Sequence, residues 1–130
     1  MIEIQKLANE PKDFNTMVSR KNGTLPFLVK GVVINKKSGK AYNIDIHMDT
    51  EKMTAQSKVK VACSCDDFKY RWAYTLHQKG SLLNPKSFVL EPPKITNPDG
   101  NVNACKHIHT FIKTELSKTL KSFSTRKNKL

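Results

Sequence analysis

The chain has 130 residues, with 23 Lys and Arg against 11 Asp and Glu and a formal net charge of +12. That length fits one domain with a modest core, and no stretch approaches the roughly 20 apolar residues of a membrane span. The opening Met1-Ile2-Glu3-Ile4-Gln5-Lys6 lacks the apolar run of a signal peptide, so neither secretion nor a membrane partner is expected. The basic excess favours phosphate backbones, anionic surfaces or acidic proteins as partners, with a plain solvated surface as the alternative.

From the N-terminus, residues 1–24 mix apolar and charged positions and read as an N-terminal segment, with a short helix after Pro11 and a turn at Asn22-Gly23. A single domain is expected over 25–121. Phe27-Leu28-Val29 and Gly31-Val32-Val33-Ile34 are rich in strand formers. Asn35 to Lys40 is a polar turn. Tyr42 to Met48 alternates apolar and polar, the period of a strand with one buried face. Ser57 to Cys63 repeats it, with Val59, Val61 and Cys63 on one side. These give an antiparallel meander of about three strands.

Beyond Cys65 the period changes. Asp66 or Asp67 is expected to cap a helix that runs to Lys79 and ends at Gly80. Phe68, Trp72 and Leu76, four apart, form its apolar stripe. Ser81 to Ala104 reads as a long loop, an insertion over 80–104 punctuated by Pro85, Pro92, Pro93, Pro98 and Gly100, with Asn97 to Gly100 as a turn and Ser87 to Leu90 as an extended piece. A last helix begins near Asn103 to Cys105 and carries Ile108, Phe111, Ile112, Leu116 and Leu120 as its stripe. Residues 122–130 are a polar, basic tail. The fold class is therefore α+β: a small antiparallel meander with two helices.

The three cysteines fall into one arrangement, Cys63-Ser64-Cys65 and Cys105-Lys106-His107. In a reducing compartment, three cysteines in one chain read as metal ligands or buried thiols before disulfides. Three thiolates and one imidazole are a common tetrahedral set for zinc. At a strand end, residues two apart point the same way, so Cys63 and Cys65 can face one ion. In a helix they point to nearly opposite sides. Cys105 must then sit just before the first turn, with His107 inside it. If the helix starts earlier, His109, four residues beyond Cys105, becomes the fourth ligand. A site closed by four protein ligands stabilises and does not catalyse.

This pattern resembles the SWIM-type zinc finger, Cys-x-Cys, a variable gap, then Cys-x-His. The resemblance spans about Val59 to Leu116 and implies one structural Zn2+ in a ββα module, with the first pair after a strand and the second at a helix start. The gap here is longer than is usual in that family and holds an aromatic helix of its own. Family members occur in DNA-associated and protein-interaction settings, which implies binding. More faintly, the words Cys63 to Trp72 and Asn103 to His107 are similar to small proteins of tailed bacteriophages, which implies a structural or accessory part of a virion.

Lys69, Tyr70, Arg71, Lys106, Lys113, Lys118, Lys121, Arg126 and Lys127 are the candidate contacts to nucleic acid or to a protein partner. Lysine and arginine neutralise phosphates, and aromatic rings such as Tyr70, Trp72 or Tyr74 can stack on exposed bases. Core packing competes for Phe68 and Trp72, and a solvated helix face competes for the lysines. Cys and His could make a nucleophile and its base, but these residues are better spent on zinc, which leaves no separate Cys, and Asp66-Asp67 is better read as a helix cap. No enzyme and no small-molecule substrate are expected. The expectation is a zinc-stabilised assembly module, in a reducing compartment or a virion, with nucleic-acid binding as the alternative.

Overall fold

The alternation along Tyr42 to Met48 acts as a period of two requires: Ile44, Ile46 and Met48 are buried, and Asn43 and His47 are exposed. A computed structural model describes residues 1–8, 15–88, 90–92 and 96–116. It places five strands in one antiparallel sheet: β1 (Ile2–Glu3), β2 (Thr16–Leu25), β3 (Leu28–Asn35), β4 (Ala41–Met48) and β5 (Lys58–Cys63). The order is β1-β5-β4-β3-β2. Strands β2 to β5 form a meander, and β1 returns to lie beside β5, with Ile2 opposite Val59.

The sheet thus has five strands where about three were expected. Residues 1–24 supply β1 and most of β2 and bury Ile4 and Leu7 in the core. The reason they were hidden is physical. Strand β2 breaks register between Val18 and Arg20 and again between Lys21 and Thr24, and each irregularity interrupts the period of two. Asn22 and Gly23 lie inside the second irregularity, not at a hairpin. The chain reverses at Pro26-Phe27, between paired Leu25 and Leu28. Proline sets the first turn position, and Phe27 takes a left-handed φ of 68°, which costs about 1–2 kcal/mol for a residue with a side chain. The expected helix after Pro11 falls on residues 9–14, outside the described residues, and the chain from Thr16 onward is strand.

The β5 edge is closed by two pieces. Strand β1 covers its start, and the chain around Leu82 pairs with Val61 in parallel. Val61 N–H donates to Ser81 O at 2.9 Å, and Leu83 N–H donates to Val61 O at 2.9 Å. Ile2 N–H joins the two pieces by donating to Ser81 Oγ at 2.7 Å.

Helical structure starts at Asp66 and includes a π turn at Phe68–Trp72 before α1 (Ala73–Gln78). Ala73 N–H donates to Phe68 O, five residues back. That extra residue shifts the stripe: Phe68, Ala73 and Leu76 are fully buried, and Trp72 is only half-buried at the core margin. Asp67 makes no capping bond with its side chain. Its carboxylate accepts from Trp72 Nε1 at 3.2 Å and pairs with Arg71 at 3.2 Å. Gly80, at φ 68°, ends the helix as expected. Its N–H donates to His77 O at 3.0 Å, and Ser81 N–H donates to Leu76 O at 2.8 Å, the paired bonds of a Schellman motif.

The second helix, α2, covers residues 106–116. Ile108, Phe111 and Ile112 are fully buried and Leu116 is partly so, while Leu120 lies outside the described residues. The Phe111 ring sits over Gly31, where a Cβ would come within 2.2 Å of its Cε2 atom. Glycine at that point of β3 is a condition of α2 docking on the sheet. The burial is wider than a stripe, because His107, His109, Thr110 and Glu115 are buried as well.

The long connection between the helices is docked to the π turn. Thr96 Oγ1 donates to Tyr70 O at 2.6 Å, and Asn97 Nδ2 donates to Arg71 O at 3.1 Å. A π turn disturbs the regular helical ladder, and these two side chains supply donors to its carbonyls. The expected turn at Asn97 to Gly100 forms, with Gly100 N–H donating to Asn97 O at 3.2 Å. Residues Pro85–Ser87 make a 3₁₀ turn; of the extended piece expected from Ser87 to Leu90, Phe88 is extended (φ −123°, ψ 148°), with its ring 5.6 Å from that of Phe68, and Val89 lies outside the described residues. Among the described residues, no helix is long and apolar enough to cross a membrane.

Candidate metal centre

Strand β5 delivers the first ligand pair. Cys63 is its last residue and stands opposite Ile44 on the core face. The chain then stays against β4: Ser64 N–H donates to Asn43 O at 3.1 Å, and Asn43 N–H donates to Ser64 Oγ at 3.0 Å. Cys65 follows at a bend, and Phe68 N–H donates to its Sγ at 3.3 Å. A backbone donor aimed at sulfur favours the thiolate form.

The second pair comes from the start of α2. His109 N–H donates to Cys105 O at 3.1 Å, so Cys105 is the residue just outside the first turn. His107 then lies within that turn. Asn103 does not act as an earlier cap, because its Oδ1 takes the N–H of Ala104 at 2.9 Å.

The four groups meet. The ligand atoms of Cys63, Cys65, Cys105 and His107 all lie within 4.8 Å of one another, and all four residues are buried. His109 is buried too, at 2 % exposure, but is not part of this group. The arrangement could hold one metal ion. A fit test comes from His107: among the described residues, neither of its ring nitrogens has a hydrogen-bond partner, although both are buried. An unsatisfied buried polar group costs about 1–3 kcal/mol, and a metal bond would remove that cost for one nitrogen. The other fit is chemical, since three sulfurs and one imidazole suit a borderline-soft ion of tetrahedral preference.

The electrostatics of the sulfurs point the same way. Hydrogen bonds from Cys105 and Cys63 hold the Cys65 thiol well below its ordinary range. His107 adds a smaller contribution by proximity, without meeting the geometry of a hydrogen bond. The bond with Cys105 draws Cys63 down, but contact with Cys65, burial and repulsion from that sulfur outweigh it and push Cys63 up to about 12. Burial, then contact with Cys63 and Cys65, raises Cys105 well above its ordinary value.

Tyr42 completes the surroundings, with its ring centroid 4.5 Å from that of His107 at an interplanar angle of 33°. Sequence reasoning passed over it. Its signal was register: Tyr42 shares the face of Ile44 in β4, and Ile44 pairs with Cys63.

Among the candidate contact residues, Lys69, Arg71 and Lys106 are exposed, Tyr70 is 66 % exposed, and Lys113 is half-buried. Arg71 is engaged locally, paired with Asp67 and lying 5.8 Å from the Trp72 ring centroid. Lys118, Lys121, Arg126, Lys127 and the 122–130 tail lie outside the described residues. Comparison with protein-family models, with curated proteins and with solved structures found no match.

Proposed function

We propose that this chain is a non-enzymatic binding and assembly module built around one structural zinc ion. The observation that carries this reading is the buried convergence of Cys63, Cys65, Cys105 and His107 within 4.8 Å. Four protein ligands fill a tetrahedron and leave no position for a substrate or an activated water, which is the signature of a stabilising site. The ion joins the end of β5 to the start of α2. It thereby fixes both ends of residues 66–104, the segment that carries the π turn and the docked connection. The SWIM-type pattern supports zinc as the ion.

The test is elemental analysis of the purified chain, with one zinc per chain expected. Cys105→Ser removes one sulfur, so that variant should lose the metal and most of the order of α2 by hydrogen exchange. Metal-free wild-type protein with unchanged folding would end this reading.

The setting we propose is a viral particle, on the strength of the two phage-like words around Cys63 and Cys105. A fixed copy number in purified particles is the expected result, and absence from them counts against it.

A further inference from the structure

The core face of the sheet is covered by helices, and the opposite face has its own architecture. Register places Lys30 opposite Asp45 and Asp45 opposite Ala62, with His47 opposite Lys60 in the adjoining row. These positions alternate with the buried ones, so they share the outer face. Lys30, His47, Lys58 and Lys60 are exposed there.

At one end of that face, beside the metal centre, lies an open cleft of about 250 Å³. Asn43 and Asp45 of β4, Lys69 of the π turn, and Asn84, Ser87 and Phe88 of the connection are among the residues that line it, and Cys63 of the candidate metal centre is another. Among the described residues, no hydrogen bond or ion pair engages the side chains of Asn43, Asp45, Lys69 or Asn84. Tyr70, next to Lys69, is the most exposed aromatic among the described residues.

We propose that this cleft receives one base of a single-stranded nucleic acid, whose backbone runs over the lysines of the outer sheet face. The inference rests on the reading of the chain as a binding module and names its partner. Charge decides among the anionic candidates. The Asp45 carboxylate in the lining repels a phosphate or an acidic side chain. A neutral base carries no such penalty, and its edge matches the amide and carboxylate groups of Asn43, Asp45 and Asn84. The half-buried Phe88 offers an aromatic surface to the base. Lys69 in the cleft lining, with Lys30 and Lys60 on the adjoining outer sheet face, suits the phosphates on either side, and the formal net charge of +12 draws the polyanion in. Tyr70 gives a stacking platform for a neighbouring base. A duplex cannot place a single base in the cleft, because its bases are held stacked and paired.

The experiment is fluorescence anisotropy with labelled single-stranded homopolymers of about 12 nucleotides, a size within the span of small single-strand sites, and with a duplex of equal length. Zinc content and thermal melting are measured on the same preparations. Wild-type protein should bind single strands at least about tenfold more tightly than duplex and prefer one homopolymer, as expected where stacking and edge contacts act together. Asn84→Gly keeps the left-handed backbone (φ 53°) and removes the amide. It should reduce single-strand affinity about fivefold or more and leave duplex binding unchanged. Asp45→Asn should change which homopolymer is preferred. Lys60→Glu should weaken every single strand alike and flatten the salt dependence.

Equal affinity for duplex and single strand, with no effect of Asn84→Gly, would overturn the proposal, as would equal binding of poly-glutamate. One zinc per chain with no strand binding at low salt overturns the cleft proposal and leaves the zinc reading standing. Base-selective binding by a folded, zinc-free chain supports the cleft and removes the zinc reading.

Discussion

The choice between His107 and His109 turns on one carbonyl. Because Cys105 O accepts from His109 N–H, α2 starts just after Cys105, and His107 falls in the turn that faces the sulfurs. His107→Ala should therefore lower zinc content, whereas His109→Ala should leave one zinc per chain even if it lowers stability; the reverse result would move the fourth ligand. A second expectation comes from the sulfurs. Cys63 and Cys105, both raised, hold their protons at neutral pH, and Cys65, which is lowered, does not. A divalent ion bound to three thiolates must displace those two protons. Affinity should then rise with pH, by about 100-fold per unit above neutrality, because both raised thiols stay protonated there unless the ion displaces their protons. Calorimetry in buffers of differing ionisation heat should report about two protons released, and a value near zero would sink a three-sulfur site. These four residues were legible because ligand spacing is a local property of the chain. Tyr42 was not, because its place beside His107 depends on how β4 and β5 align.

Among the elements, α2 depends on a single missing side chain. A Cβ at Gly31 would stand 2.2 Å from the Phe111 ring, so Gly31→Ala forces the helix or strand to shift and should cost about 1–3 kcal/mol in denaturant unfolding. Phe111→Leu in the same chain should recover part of that loss; no rescue would mean that the glycine serves the strand and not the contact. Strands β3, β4 and β5 were readable because their alternation is unbroken. Strand β2 was not, since its register breaks scramble the period, and β1 is too short to show one. The π turn was equally hidden. An even spacing of Phe68, Trp72 and Leu76 suggests a regular helix, and only the bond from Ala73 to Phe68 O shows the added residue. The bonds from Thr96 and Asn97 to that turn come from 26 residues away, a separation no local pattern reports.

For the molecule as a whole, the core and the candidate metal ligands are one body: Cys63, Cys65 and Cys105 belong to the same buried cluster as Ile44, Val61, Phe68 and Ile108. Metal binding and folding should therefore be coupled. A strong chelator should lower the thermal midpoint by at least about 10 °C, a few kcal/mol for a domain of this size, and readdition of zinc should restore it. An unchanged midpoint after verified metal removal would show that packing alone holds the fold. The α+β class was visible in the chain because the period changes after Cys65. The closure of the β5 edge by β1 and by the chain at Leu82 was not, because both pieces meet their partner only in three dimensions.

That closure and the split ligand pairs set an order of events during synthesis. Strand β5, with Cys63 at its end and Cys65 just beyond it, leaves the ribosome ahead of residues 66–104, and Cys105 and His107 emerge only after that stretch, on the order of seconds later at about 5–20 residues per second. Throughout that interval the nascent sheet holds two thiols without their partners and an edge half covered. A chaperone or a competing metal would find its opening then, and a pause placed after Cys65 should lengthen it.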